Sequence, residues 1–122
     1  MPISLCEKTK TFYLNGKDYT YAFCVSKFGF LNHLYYGAKI PCDDLSYTVR
    51  PEARGHCTNL PEGDRADSME YYMNECPSYG RSDYRESMLA FEFSAGERVT
   101  ELVYENHRIV GKKPPLAGLP SV

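Results

Sequence analysis

Residues 11–25 read TFYLNGKDYTYAFCV. Two runs of aromatic and β-branched residues flank Asn15 and Gly16, a pair that favours the positive φ angles of a hairpin turn. Strand, turn, strand is the expected reading, and it sets an all-β frame for the residues around it. In FGFLNHLYYG (28–37), Gly29 and Gly37 leave only seven residues between them, too few for an ordinary helix, so a strand is expected there. In DLSYTVR (44–50), Leu45, Tyr47 and Val49 alternate with Ser46, Thr48 and Arg50, the pattern of a short half-buried strand.

The stretch PEARGHCTNLPEGDRAD (51–67) has few large apolar residues and is broken by two prolines and two glycines. It reads as a long excursion, and loops of that length in compact domains commonly carry function. SMEYYMNE (68–75) fits one or two helical turns, but Met69, Tyr71 and Met73 alternate, and the β context favours a strand. SMLAFEF (87–93) alternates Met88 with Ala90, and SAGERVTELVYENHRIV (94–110) turns at Ala95 and Gly96 into a long strand through Val99, Leu102 and Ile109. Seven or eight short strands with regular turns predict an antiparallel β-sandwich, with one short helical turn as the alternative at 68–75.

At 122 residues the chain fits a single domain, 1–122, with room for one core. Hydrophobic residues at 43% and charged residues at 25% exclude a disordered chain, and a net charge of −2 leaves no field to hold a polyanion, so nucleic acid is not an expected partner. No apolar run approaches the roughly 20 residues needed to cross a bilayer, and MPISLCEKTK turns polar too early for a signal peptide, so the reading is cytoplasmic with no membrane partner. The five cysteines are odd in number and form no CxxC pair, which points to reduced thiols rather than zinc.

Catalytic chemistry finds little footing. His33, His56 and His107 have no ligand-type neighbours at metal spacing, so structural or surface roles are expected and no metal or cofactor is implied. No GxSxG occurs, and His56 and Cys57 are adjacent, so their side chains diverge. Asp43, Asp44, Asp64 and Asp67 read as solvated loop charge, since nothing in sequence sets two of them at a hydrolytic separation. The many tyrosines, Tyr19, Tyr21, Tyr35, Tyr36, Tyr71 and Tyr72 among them, suit packing better than sugar stacking. In ECPSYGRSDYR (75–85), Pro77 fixes φ, Gly80 permits a bend, and Asp83 and Arg85, two apart in extended chain, face the same way. A bracing role is expected for that pair, with a substrate-side or intersubunit role as the alternative.

Four ordered stretches carry the reading further: EKTKTFYLNGKDYTYAF (7–23), FGFLNHLYYGAKI (28–40), ECPSYGRSDYR (75–85) and RVTELVYENHRIVGKKPPLAGLPS (98–121). Together they resemble the N-terminal domain of the glycoside hydrolase family 36 α-galactosidases, whose motifs read HLYWGK, EYPxYGxxDFR and HRIxxGKPxLxGLPATY. The resemblance implies a β-sandwich that is part of a larger supersandwich, ahead of a (β/α)₈ barrel that carries the Asp nucleophile and the Asp acid/base of a retaining mechanism. It therefore implies no catalytic residue in this chain. Where the family runs on through GLPATY, this sequence reads GLPSV (118–122), as an N-terminal piece would.

The resemblance also implies a homo-oligomer in which the long loop lids a neighbouring subunit's site and contacts α-galactosides such as melibiose and raffinose. Near the position of the family's sugar-binding Asp stand Glu52, Ala53 and Arg54, so that direct contact lacks its usual residue. Cys76 replaces the Tyr of EYP, Tyr84 the Phe of DFR, and Tyr36 a common Trp. Candidate substrate or interface residues are Glu52, Arg54, Tyr79, Asp83 and Arg85. A free-standing sugar-binding module and a purely structural assembly domain are the alternatives.

Overall fold

A computed structural model describes residues 3–49, 60, 63, 67–69, 72–80, 83–111, 114–115 and 117–118. The fold is all-β. Strands β1 (Ile3–Cys6), β2 (Thr11–Asn15), β3 (Tyr19–Val25) and β4 (Leu31–Ala38) form one antiparallel meander in the order β1-β2-β3-β4. The 11–25 hairpin is present, with Phe12 opposite Phe23 and Asn15 opposite Thr20. Its turn is longer than a two-residue loop: the Gly16 amide donates to the Tyr19 carbonyl (2.9 Å), and Gly16 is not among the positive-φ residues. With the Tyr19 ring lying over Gly16, a Cβ there would displace that ring. Buried Thr20 and Asn15 close the hairpin through a 2.8 Å side-chain hydrogen bond. Strand β1 was not legible in the sequence, being four residues that repeat Ile3 and Leu5 only once.

The alternation of β2 and β3 splits the sheet into two faces. On one face Tyr13, Ala22 and Leu34 are buried against Leu45, with Cys6, Cys24, Tyr35, Ile40 and Val49 around them. Each fully buried large side chain contributes roughly 1.5–3 kcal/mol, so this cluster is the main stabilising contact of the meander. A register shift in β4 serves it: Ala22 pairs with Tyr35 and Phe23 with His33, leaving Leu34 as an extra residue. The bulge lets Leu34 and Tyr35 both pack on the core face.

Leu45 is delivered by a 3-10 turn over Ser46–Thr48, which corrects the strand expected at 44–50. Asp44 Oδ1 accepts from the Ser46 amide (2.8 Å), and the Thr48 amide and hydroxyl both bond the Leu45 carbonyl. Short polar side chains that bond nearby backbone compete successfully with a ladder here. Residues 70 and 71, within the stretch where a helical turn was the alternative, lie outside the described residues; the 3-10 turn at 46–48 is a separate element.

Beyond β4 the described residues hold no further named strand, so the strands expected at 68–75, 87–93 and 99–110 are not formed as ladders among them. What remains is a set of single ties. His33 donates its amide to the Met73 carbonyl and Glu75 to the Leu31 carbonyl, which lays 73–75 along the β4 edge. The Phe93–Glu97 turn, with Gly96 at φ +85, leads into a segment held by Thr100 on the Tyr79 carbonyl and Tyr104 on the Gly29 carbonyl. Pairing of single amides rather than continuous runs is why alternation in the sequence overstated the strand content.

Gly80 occupies one of these tie points at φ +99, and a Cβ there would lie 2.7 Å from Val99 Cγ1. Gly80→Ala is expected to cost roughly 1–3 kcal/mol from backbone strain and the clash together. Urea unfolding checks this, and a midpoint equal to wild type would show that the 99–104 segment yields freely at this point.

Candidate functional site

The 75–85 loop folds around Asp83. Its carboxylate is 3% exposed and accepts from Arg85 Nε and Nη2, each at 2.8 Å, in a bidentate pair. Arg85 Nη1 donates to the Tyr72 carbonyl, and the Asp83 amide donates to the Gly80 carbonyl (3.1 Å). All three guanidinium nitrogens are therefore engaged within the chain. The geometry is that of a brace between the loop and the 72–74 segment, using three of the five guanidinium N–H donors on a side chain that is 40% exposed.

Burial pushes the Asp83 carboxyl up, but the side-chain and backbone hydrogen bonds from Arg85 and its charge outweigh that and hold it below the usual carboxylate range. A carboxylate with a depressed folded pKa contributes stability above its unfolded value, about 3.9, and that contribution is lost as pH falls through the folded value. The expected result is a steeper loss of urea stability below about pH 4 in the wild type than in Asp83→Asn. Parallel pH curves for the two proteins would remove Asp83 from the acid response.

Tyr79 stands apart from this brace. It is exposed and lines an open cavity of about 360 Å³ with Ser87, Ala90, Phe91, Glu92 and Arg98. Glu92 and Arg98 face each other there at 2.7 Å and neutralise one another. Glu52 and Arg54 lie outside the described residues, as do His56, Cys57, Asp64 and Tyr71. The structure thus brings Asp83 and Arg85 together, places Tyr79 on a separate surface, and does not join the three into one pocket.

The other chemistry-bearing residues sort by surroundings. Among the described residues no group of three His, Cys, Asp or Glu side chains is placed to hold a metal, and Cys6, Cys24, Cys42 and Cys76 are free thiols. Asp43 and Asp44 are exposed loop residues. Asp67 corrects the solvated reading: its side chain is 5% exposed and meets Lys27 Nζ at 2.7 Å. His33 Nδ1 lies 2.8 Å from Glu75 Oε1, and burial together with a hydrogen bond to Glu75 drives the Tyr21 hydroxyl far above its ordinary pKa. Glu75 thereby links the return segment to both β3 and β4. Lys27 and Glu75 were missed in the sequence because an ion pair across 40 or 42 positions leaves no local pattern.

The second sheet face carries the aromatics. Phe12 and Phe23 stack at 5.0 Å, with the His107 ring edge-on to Phe12 at 4.8 Å. Farther along this face the exposed Tyr19 and Tyr36 flank the half-buried Tyr21, and the Tyr19–Tyr36 and Tyr21–Tyr36 pairs are each inclined at 61°. Edge-to-face packing is favourable for the rings themselves. It offers a sugar no flat two-ring platform, so the sugar-binding-module reading gains no support from this face.

Comparison with known proteins gives these features a setting. Residues 29–122 match the glycosyl hydrolase family 36 N-terminal domain. The chain is 31% identical over 122 residues to α-galactosidase AgaA of Geobacillus stearothermophilus, covering 99% of this chain and 17% of that one. Its fold superposes on the galactosidase domain of the α-galactosidase–sucrose kinase AgaSK with a TM-score of 0.89 at 32% identity, covering 99% of this chain and 17% of that structure. A variant of AgaA solved in complex with raffinose gives a TM-score of 0.83 at 30% identity over 92% of this chain and 16% of its own. The chain thus spans about one-sixth of the length of the relatives it matches. With the family pattern, whole-chain identity and fold in agreement, the chain belongs to the glycosyl hydrolase family 36 N-terminal domain family.

Proposed function

We propose that this chain forms a single domain, 1–122, that serves as the non-catalytic N-terminal part of a cytoplasmic α-galactosidase. That enzyme hydrolyses terminal α-galactosyl residues of galacto-oligosaccharides such as melibiose and raffinose. The domain supports homo-oligomerisation, and its 51–67 excursion, with Glu52 and Arg54, lids a neighbouring subunit's active site. The observation that carries the reading is the superposition of nearly the whole chain on one-sixth of a galactosidase domain. Support for an assembly role comes from the exposure of Met88, Phe93, Val99, Val103 and Ile109, apolar side chains that a partner surface would cover. Among the described residues no helix is long and apolar enough to cross a membrane.

The test is a chimaera in which this chain replaces the matching residues of AgaA. Hydrolysis of raffinose by the chimaera, with no turnover of an aryl α-galactoside by the 122-residue chain alone, is the expected pair of results. A chimaera that folds but lacks activity would sink the reading, and turnover by the pure chain would place a catalytic group inside it. Light scattering over a hundredfold dilution reports the assembly role separately: a mass that rises with concentration supports it, and a constant monomer mass removes it.

A further inference from the structure

Asn15 is the one asparagine of this chain that a glycine follows. Asparagine is heat-labile, and a following glycine makes it most so, since no side chain shields the amide nitrogen that attacks. In that reaction the Gly16 nitrogen gives up its proton to hydroxide and bonds to Asn15 Cγ, and the side-chain nitrogen takes a proton from water and leaves as ammonia. Water then opens the succinimide at either carbonyl, leaving aspartate or isoaspartate, with water as the only reactant consumed.

The folded hairpin restrains the atoms of this step. Asn15 Oδ1 accepts from the buried Thr20 hydroxyl at 2.8 Å, and Asn15 Nδ2 donates to Cys42 Sγ at 3.8 Å. Thr20 is itself fixed, its hydroxyl oxygen accepting from the Ile40 amide at 3.3 Å. The Gly16 amide is committed to the Tyr19 carbonyl at 2.9 Å, and the Tyr19 ring lies over Gly16. Asn15 is also the last residue of β2, opposite Thr20, and the extended ψ of a strand, about +135°, turns the next nitrogen away from its own side chain.

We propose that Asn15–Gly16 is this domain's site of spontaneous deamidation, and that the grip of Thr20 and Cys42 on the Asn15 side-chain amide holds the reaction off while the hairpin end is closed. Conversion is one-way. It sets a carboxylate at a position 7% exposed, and as isoaspartate it lengthens the β2 backbone by one carbon where the register with Thr20 is set. Thr20 lets the chain use this pair as a turn while suppressing its chemistry.

The 122-residue chain, kept in mildly alkaline buffer and sampled over days, gives the test. Mass spectrometry of the tryptic peptide 11–17 measures conversion at Asn15, and isoaspartate methyltransferase labelling is a second readout. Conversion is expected to be roughly tenfold slower or more in the folded wild type than in guanidinium chloride, since it follows local opening. In guanidinium chloride it should outpace that at Asn32, Asn59, Asn74 and Asn106. Thr20→Val removes the hydroxyl, keeps the shape, and should speed conversion in the folded chain roughly fivefold or more, whereas Thr20→Ser should match wild type. Arg85→Ala weakens the fold through the 75–85 loop instead and should leave the rate near wild type. Faster conversion at another asparagine in the unfolded chain overturns the site, and equal rates folded and unfolded overturn the protection. No rise in Thr20→Val overturns the grip, as does an equal rise in Arg85→Ala, which would route conversion through global unfolding. Should Thr20→Val not fold, Cys42→Ala decides in its place, with an expected rise of about twofold and wild-type rates overturning the grip.

Discussion

Arg85→Ala is expected to lower the stability of the chain by roughly 2–4 kcal/mol, a fall in Tm on the order of 10 °C. The size follows from what is left behind. Asp83 would keep a carboxylate at 3% exposure with both oxygens stripped of their 2.8 Å donors, and the Tyr72 carbonyl would lose its partner as well. Removing one member of a fully buried ion pair costs about 3–5 kcal/mol. The Arg85 side chain is 40% exposed, so water can enter the vacated space, which brings the expectation below the top of that range. Arg85→Lys keeps the charge but not the fork, and should cost about half as much. Thermal unfolding of the three proteins measures this directly. A Tm for Arg85→Ala within a degree or two of wild type would mean that the brace is dispensable, and would turn attention to a partner chain as the reason for the pair.

The second large effect is expected at Tyr13. Its side chain is 1% exposed, lies against Ala22, Leu34 and Leu45, and donates its hydroxyl to the Asp43 carbonyl. Tyr13→Ala empties the centre of that cluster and should cost about 3–5 kcal/mol, comparable to the entire stability of many small domains. Tyr13→Phe keeps the ring and loses only the hydroxyl bond, for about 1 kcal/mol. The contrast is informative, because the hydroxyl is what ties the 43–48 turn to the sheet. Urea unfolding of both variants separates packing from tethering, and a Phe variant as unstable as the Ala variant would reverse the assignment.

Legibility differed by the range of the interaction that decides each element. The 11–25 hairpin and β4 could be read because period-two alternation and flanking glycines are local signals. The 44–50 segment was misread for an equally local reason, since Asp44 and Thr48 bond their own backbone and the alternation of Leu45, Tyr47 and Val49 is incidental to a 3-10 turn. Segments after residue 67 alternate convincingly, yet a ladder needs a continuous partner as well as a pattern, and single ties such as Thr100 to Tyr79 leave no trace in sequence. At the candidate site the Asp83 and Arg85 pairing was visible from a spacing of two. The third member of that brace is a backbone carbonyl, which any residue at position 72 would supply.

Tyr79 had the same sequence neighbourhood as Asp83 but a different fate. Gly80 turns the chain at φ +99 immediately after it, so a ring four positions from a buried carboxylate ends beside Phe91 and Arg98 instead. Sequence proximity placed these residues in one group, and a single left-handed residue divides them.

The bulge in β4 has a bearing on how this strand can change length. Leu34 is the one residue in β4 that opposes no partner of β3, between the Ala22–Tyr35 and Phe23–His33 pairs. Excising Leu34 would close the ladder into a regular one, with His33 and Tyr36 still directed to the aromatic side; the loss is confined to one apolar side chain. Excising any paired position in β4 instead inverts the inward and outward order of everything on one side of the gap, a change that amounts to turning half a strand over. A deletion at position 34 is therefore expected to cost the core contact of Leu34 while leaving the facing of the rest of β4 unchanged, whereas a deletion at any paired position disturbs both.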